Sequence, residues 1–271
     1  MPTTLQEIVA ATRLRIADAR RRSNLRDLEE RAAQHRPRGF RNALTSRAGR
    51  GPAIIAELKK ASPSRGLIRA DFDPAHLAGE LERAGAAALS VLTDEKYFQG
   101  SLENLTRASA STTLPCLRKD FILDEFQILE ARAYKADAIL LIVAALSQNE
   151  LTTLAAQAAG HGLDVLCEAH DQEEVAGALG AGCSLIGINS RDLKTFKVDP
   201  ETLFRLAELL PGHVLRVAES GIHSGADIAR LRSAGYQAFL VGESLMKAAS
   251  PGAALQILIA AAEESVPLRT D

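Results

Sequence analysis

The sequence predicts a single (β/α)8 barrel of the TIM type, preceded by a helical extension. Eight short apolar segments each lead into a helical pattern, and this regular alternation is typical of parallel strands covered by helices. The length of 271 residues fits one such barrel, which usually takes about 250. The predicted strands are 53–58, 88–92, 115–117, 138–143, 163–167, 185–188, 215–218 and 238–241.

The predicted strands are nearly continuous runs of apolar residues. Segment 138–143 contains only apolar side chains, as expected of parallel strands that are covered on both faces. An open doubly wound sheet is the main structural alternative. Its glycine pattern G-x-G-x-x-G is missing after the first strand, and Gly180 and Gly182 precede a strand instead of following one. The barrel is therefore favoured.

Each predicted strand is followed by a helix that begins at a residue suited to capping. Ser147 and Glu150 form the S-x-x-E pattern of a capping box, and Pro74 stands at a first helical position after Asp73. The predicted helices are 73–84, 101–110, 124–134, 147–160, 171–179, 199–210, 224–234 and 250–262. These elements predict a catalytic barrel over residues 49–264 and a loose tail over 265–271.

Residues 1–48 precede the first strand and form the predicted extension. An amphipathic pattern covers most of the first twenty residues, a second helical pattern covers 25–33, and the segment 36–39 contains proline and glycine and breaks the pattern. The extension is too short to enclose a core of its own. We therefore expect its apolar faces to pack on the barrel and cover one of its mouths.

Composition excludes several classes of function. A net charge of −2 gives no electrostatic footprint for nucleic acid. The chain has no apolar run of the roughly 18 residues that a membrane span needs, and its N-terminal residues show no signal peptide. We therefore expect a cytoplasmic protein in which Cys116, Cys167 and Cys183 are buried free thiols. The histidines have no ligand spacing, so no metal is expected.

Polar side chains stand at the C-terminal ends of the predicted strands, where barrels of this kind place their chemistry. They are Glu57, Lys59, Lys119, Glu168, Asn189, Glu219 and Ser220. A structural ion pair is the alternative interpretation for Glu57 with Lys59 alone. Several ionisable groups that converge in one barrel mouth are costly to bury unless function requires them, so their combination predicts an active site.

Lys119 and Glu168 are the candidate acid and base. A lysine beside apolar groups and other cations can donate a proton near neutral pH or form a Schiff base. Arg118 and Asp120 alternate away from Lys119 and are expected to pair outside the mouth. We interpret His170, two residues beyond Glu168, as a loop or cap residue.

Small residues after the last two strands predict a phosphate site. Loops after strands seven and eight bind phosphate in many barrels, and Gly221 and Gly242 would let backbone N–H groups approach the phosphate oxygens. Glu243 and Ser244 follow Gly242. Ser62, in a loop after the first strand that could act as a mobile lid, would close the site.

Five segments of this chain together resemble the indole-3-glycerol phosphate synthase family. They are 54–64, 90–101, 117–121, 187–193 and 218–222. They occur in family order, and the extension resembles the extra helix that the family carries before its first strand. Ala169 is a departure, because the family commonly has a bulkier residue there. The resemblance implies closure of the pyrrole ring of indole in tryptophan biosynthesis, with loss of CO2 and water from 1-(2-carboxyphenylamino)-1-deoxyribulose 5-phosphate.

The resemblance also implies a catalytic role for each charged residue. Lys119 would protonate the ketone oxygen during ring closure, and Glu168 would take the aniline proton during dehydration. Lys59 would hold the substrate carboxylate or donate a proton in the dehydration. Glu57 and Glu219 would orient the lysines and the substrate hydroxyls.

The same resemblance implies that Asn189 is also catalytic and that four further residues bind the substrate. Arg191 would share the substrate carboxylate with the lysine of the first strand, and Asn189 would hydrogen-bond the intermediate. Phe98 and Phe121 would pack near the anthranilate ring, and Ser220 would also bind the substrate. No cofactor is expected, and the chain would be a monomer or weak homo-oligomer that acts on a small phosphorylated molecule.

Two alternative functions are compatible with a barrel of this kind. A related phosphate-binding barrel, phosphoribosylanthranilate isomerase, would rely on a cysteine and an aspartate instead of Lys119 and Glu168. A catalytically silent barrel kept as a scaffold would usually have lost the charges at its mouth, which this chain retains.

Overall fold

Eight parallel strands close into a barrel in the computed structural model, which describes residues 4–193, 195 and 197–265. Each strand pairs with the next in the chain, and Ala53 pairs in parallel with Ala238 to close the ring. The predicted (β/α)8 barrel is therefore confirmed. The barrel strands are Ala53–Leu58, Ala88–Leu92, Cys116–Lys119, Ala138–Ile142, Asp164–Ala169, Leu185–Asn189, Leu215–Glu219 and Ala238–Val241.

The polar residues predicted to follow several strands are part of those strands. Lys119 pairs with Leu92, and Asn189 pairs with Glu219. Glu168 likewise pairs with Gly187. These backbones continue the ladder, so the third, fifth, sixth and seventh strands end later than the apolar pattern indicated. The side chains at these ends are consequently held by the sheet rather than by loops.

Helices follow all eight barrel strands and surround the barrel. The longest of them in each unit are Pro74–Arg83, Leu102–Ala110, Glu125–Ala133, Gln148–Gly160, Gln172–Gly180, Glu201–Ala207, Gly225–Ser233 and Pro251–Glu264. The sixth of these ends before its predicted limit at 210, because the amides of Leu209 and Leu210 bond three residues back instead of four. Short elements that were not predicted include the helices Glu95–Phe98 and Glu243–Lys247, the 3-10 turn Val143–Ala145 and a hairpin of Ala61–Ser62 with Gly66–Leu67.

The extension consists of three helices, Leu5–Arg22, Leu25–Gln34 and Phe40–Ala48, and the sequence predicted only the first two. Phe40 and Leu44 of the third helix are fully buried in the cluster that fills the barrel interior. This helix packs against the first and second barrel strands. The backbone N–H of Arg41 donates to Asp164 at the start of the fifth strand. The third helix therefore closes the N-terminal mouth, while the first helix reaches the opposite one.

Two of the three cysteines depart from the expectation of free thiols. Cys167 and Cys183 form a disulfide with their Cα atoms 6.5 Å apart. The correction follows from topology: Cys167 points outward from the fifth strand, and the loop before the neighbouring sixth strand brings Cys183 beside it. Cys116 is a buried free thiol, and its burial raises its pKa to about 12.

Membrane spans and metal clusters are both absent from the described residues. Among these residues, no helix combines the length and hydropathy that a membrane span requires. Within the same part of the chain, no group of histidine, cysteine and carboxylate side chains is arranged to hold a metal ion. The tail predicted to be loose lies outside the described residues, except for Ser265.

Candidate active site

One cavity opens at the C-terminal ends of the barrel strands, and every residue predicted for the site contributes to its lining. These residues are Glu57, Lys59, Ser62, Phe98, Lys119, Phe121, Glu168, Asn189, Arg191, Glu219, Ser220, Gly221, Gly242, Glu243 and Ser244. They meet because parallel strands in a barrel end at the same rim. The three cysteines are not among the lining residues.

A lysine between two buried carboxylates forms the floor of the cavity. The Nζ atom of Lys119 lies 2.9 Å from Oε2 of Glu168 and 3.4 Å from Oε2 of Glu219. Burial acts to lower the pKa of Lys119, but the carboxylates of Glu168, Glu219 and Glu57 outweigh it and raise the pKa above its usual value. The neighbours of Lys119 are therefore anions, where the sequence suggested other cations, and this amine is firmly protonated.

The same surroundings give Glu168 and Glu219 different pKa values. Burial acts to raise the pKa of Glu168, but Lys119 and His170 together hold it well below its usual value. Burial also raises the pKa of Glu219, to about 8, because Lys119 offsets burial less there and the charge of Glu168 opposes ionisation. Near neutral pH the site thus contains one ionised and one largely protonated carboxyl group, the arrangement that separates a base from an acid.

Glu57 and Lys59 form an ion pair, with Nζ of Lys59 2.5 Å from Oε1 of Glu57, which is the contact that the alternative interpretation of these two residues expected. Both side chains face the cavity, so the pair is part of the site wall. A Cβ atom at Gly242 would lie 2.5 Å from the same carboxylate oxygen. Gly242 was predicted for its approach to phosphate, and the structure adds that its missing side chain makes room for Glu57.

Gly187 makes room for the carboxylate of Glu219 in the same way, and the sequence analysis did not predict this contact. It lies in the sixth strand beside Glu168 and Val217 of the neighbouring strands. A Cβ atom there would overlap Oε1 of Glu219, well inside the 3.0 Å that real Cβ atoms keep. Its only sequence signal is a glycine inside an apolar strand, which often marks a close approach of another group.

The loop after the seventh strand, one of the two loops predicted to bind phosphate, makes a left-handed turn. Ser220 and Gly221 both adopt left-handed conformations, with φ of 67° and 71°. The hydroxyl of Ser190 donates to the carbonyl of Ser220 at 3.1 Å and so fixes this turn. The carboxylate of Glu243 pairs with Arg65 and Lys247, so only its backbone N–H is suited to an anion.

Ser62 is placed by the hairpin of the first loop. Its hydroxyl is buried and has no hydrogen-bond partner among the described residues. Because an unpaired buried hydroxyl is costly, its position at the cavity wall suits a polar group of a ligand.

The extension also contributes to the cavity, which sequence reasoning did not predict in detail. Leu5 and Ile8 of the first helix line it. Further along the same helix, Arg15 pairs with Asp120 at 2.7 Å and with Asp94 at 3.5 Å. Asp120 also accepts from Arg118 at 3.1 Å, so the expected pair exists. Asp120 lines the cavity, however, so the pair does not lie wholly outside the mouth as expected. These contacts attach the first helix beside Lys119.

The fold and the cavity define a (β/α)8-barrel protein with a buried lysine–carboxylate site at the C-terminal rim and a helical extension over it. Residues 5–258 match the family model described as indole-3-glycerol phosphate synthase. An indole-3-glycerol phosphate synthase from Koribacter versatilis is 61% identical over 96% of this chain and 100% of its own length. One from Acidithiobacillus ferrooxidans is 49% identical over 95% and 99%.

The chain belongs to the indole-3-glycerol phosphate synthase family, whose members are decarboxylating lyases of tryptophan biosynthesis. Solved structures with low identity agree in fold only. The crystal structure of 3-hexulose-6-phosphate synthase aligns with a TM-score of 0.62 and 16% identity, over 77% of this chain and 99% of that chain.

Proposed function

We propose that the cavity is the active site of an indole-3-glycerol phosphate synthase, with the acid and base roles carried by Lys119 and Glu168. The observation that carries this proposal is the position of one protonated lysine between two carboxylates of different acidity. Ring closure needs a cation at a ketone oxygen, and dehydration needs a base at the aniline nitrogen. Both groups line the same cavity.

Ring closure and decarboxylation come first in the proposed sequence. The aromatic carbon that bears the carboxylate attacks the ketone carbon, and the ketone oxygen takes a proton from Nζ of Lys119 to become a hydroxyl. The bond to the carboxylate then breaks, CO2 leaves, and the electron pair of that bond restores the aromatic ring. Lys59 and Arg191 hold the carboxylate until it leaves.

Dehydration completes the indole ring. Glu168 removes the proton from the aniline nitrogen, and the hydroxyl formed during ring closure leaves as water with a proton from Lys59. The ring methylene then gives up one proton to the neutral amine of Lys59, and Glu168 returns its proton to the nitrogen, which yields the aromatic indole with its N–H. Asn189 hydrogen-bonds the intermediate, and Glu57 and Glu219 orient the lysines and the substrate hydroxyls. Because Glu168 is ionised near neutral pH, it is in the state that a base requires.

Substrate binding divides the cavity into an apolar and a polar end. Phe98 and Phe121 contact the anthranilate ring on the side of the cavity that Leu5 and Ile8 also line. The phosphate binds at the loops after the last two strands. In this proposal backbone N–H groups of these loops bind it, and the hydroxyl of Ser62 reaches it from the first loop. The residues of the phosphate end are Ser62, Ser220, Gly221, Gly242, Glu243 and Ser244.

Single-turnover experiments on two variants test the roles. Lys119→Met should slow ring closure by about 10²–10⁴-fold and leave unreacted substrate, because the proton is lost while the volume is retained. Glu168→Gln should instead release CO2 and accumulate a decarboxylated intermediate that keeps its hydroxyl. CO2 release and indole formation would be followed separately after rapid quenching.

Exposed residues outside the cavity provide matched controls. Lys135→Met and Glu103→Gln make the same chemical changes on the surface and should behave as wild type. Near-normal CO2 release by Lys119→Met would remove this residue from ring closure and favour Lys59. An isomerase would form no indole product in any variant, and neither would a silent scaffold.

The proposal extends to the setting of the enzyme. A chain with a net charge of −2 offers no basic surface for nucleic acid, which agrees with a small phosphorylated substrate. We place the enzyme in the cytoplasm as a monomer or weak homo-oligomer.

A further inference from the structure

We propose that His170 is a positioning residue that holds Glu168 ionised and oriented, as the central member of a chain Glu174–His170–Glu168–Lys119. The inference rests on the proposed role of Glu168 as the base. His170 does not line the cavity, so it would act on the substrate only through Glu168. The sequence interpretation as a loop or cap residue covers its contact with Glu174 but not the contact with Glu168.

The imidazole ring of His170 lies between two carboxylates. Its Nδ1 atom is 2.9 Å from Oε2 of Glu174, and its backbone N–H donates to the same oxygen at 2.8 Å. Its Nε2 atom is buried 3.4 Å from Oε1 of Glu168, at ion-pair distance, and has no hydrogen-bond partner within the described residues. Glu174 belongs to the helix Gln172–Gly180 after the fifth strand, so the ring is fixed from outside the barrel and directed at the base.

This arrangement gives each oxygen of Glu168 its own cation. Oε2 faces Lys119 at 2.9 Å and Oε1 faces His170 at 3.4 Å. A neutral imidazole has one N–H and would turn a lone pair towards one of its two carboxylates, whereas the protonated ring presents an N–H to each of them. The geometry therefore favours a charged His170, which fixes the plane of the Glu168 carboxylate from outside the cavity.

The charges around the imidazole ring support the same conclusion. Glu168 lies at one ring nitrogen and Glu174 at the other, and Glu168 shares Lys119 with Glu219, which is largely protonated near neutral pH. A positive imidazole is therefore balanced by a carboxylate on each side. Burial acts to lower the pKa of His170, but its contacts with Glu168 and Glu174 outweigh burial and raise the pKa to about 10.

The consequence for catalysis concerns the acid side of the pH profile. Without the cation, Glu168 would be easier to protonate, because it would have lost one of the two charges that stabilise its ionised form. A base that is protonated cannot remove the aniline proton. In His170→Gln we therefore expect the acid limb of the kcat profile to move up by about one pH unit, which is a tenfold loss of activity at pH values below that limb.

The experiment compares three variants by kcat, KM and pH. His170→Gln should lower kcat at acid pH with little change in KM, and His170→Lys should restore part of the acid limb, because it returns a cation. His161→Gln changes a histidine at the end of the helix Gln148–Gly160, outside the cavity, and should leave the profile unchanged. A profile of His170→Gln that coincides with wild type would overturn the proposal.

Two further measurements separate this inference from the assignment of the base. Nuclear magnetic resonance of labelled histidine in the wild-type enzyme should show the ring of His170 still protonated above pH 8, and titration near 6.5 would contradict the proposal even if the variants do not fold. In a Glu168→Gln background, His170→Gln should cause no further shift of the acid limb. If Glu168→Gln itself turns over normally, the assignment of the base is wrong; if only the His170 variants behave as wild type, the positioning role is wrong.

Discussion

Gly187→Ala tests whether the position of the Glu219 carboxylate matters for catalysis. The added methyl group would enter space that Oε1 of Glu219 occupies, and it would also lie 3.3 Å from Cδ1 of Leu166. Glu219 is 1% exposed, and its other oxygen faces Lys119 at 3.4 Å. The carboxylate cannot turn into open solvent and must move within the site.

The size of the effect follows from the required displacement. The carboxylate must retreat by about 1 Å before its separation from the new Cβ reaches the 3.0 Å that real Cβ atoms keep. A misplacement of about 1 Å in an active site can cost about 10²-fold in rate, so we expect kcat/KM to fall by that order. Overpacking costs about 1–3 kcal/mol, and replacing a strand glycine returns about 0.5–1 kcal/mol. The variant should therefore fold.

Steady-state kinetics and thermal unfolding check the prediction together. Gly160→Ala is the matched control, because a Cβ atom there meets nothing within 4 Å. It should leave both kcat/KM and the melting temperature close to those of wild type. If Gly187→Ala folds normally and keeps the wild-type kcat/KM, the reasoning that ties the position of Glu219 to catalysis is refuted.

Two other predictions concern stability. Deleting residues 1–40 removes Ile8 from the cavity wall and Phe40 from the N-terminal mouth. The deletion should therefore lower the melting temperature and raise KM. If both values are unchanged, the extension does not support the barrel. Glu219 has a folded pKa of about 8 against an ordinary 4.5, so it stabilises the fold fully below pH 4.5 and loses that contribution as pH rises through 8. Glu219→Gln should therefore gain melting temperature relative to wild type between these pH values, and a constant difference across the range would contradict the shift.

The barrel could be predicted because all eight strands are nearly continuous apolar runs that lead into helical patterns, and five of them end in a polar residue. The third helix of the extension, Phe40–Ala48, could not be predicted because its sequence has neither a clear apolar periodicity nor a capping residue. Only Phe40 and Leu44 are buried in it, so the apolar periodicity consists of two residues. The residue at its N-cap is Gly39, which adopts a left-handed conformation and has no side chain that could cap the helix, so no capping residue marks the start. Tertiary burial beneath the barrel, rather than local sequence, determines this helix.

The convergence of site residues could be predicted for the same reason as the strands. The C-terminal ends of parallel barrel strands lie at one rim. Predicting which residues end the strands therefore also predicted which residues meet in the cavity. The contacts that were missed depend on distances between elements: the overlap of Gly187 with Glu219, the bond between Cys167 and Cys183, and the approach of His170 to Glu168. No spacing along the chain encodes these distances.

The surroundings of Lys119 determine when it can act as an acid. Its carboxylate neighbours raise its pKa, so in the free enzyme it holds its proton tightly and is a poor donor to a neutral ketone. A ketone oxygen becomes a stronger base than the amine only as the new carbon–carbon bond forms and negative charge develops on that oxygen. In the proposed mechanism, proton transfer from Lys119 therefore accompanies bond formation instead of preceding it. The same carboxylates keep Lys119 charged at neutral pH and above, so we attribute the acid limb of the activity profile to Glu168 and not to the lysine.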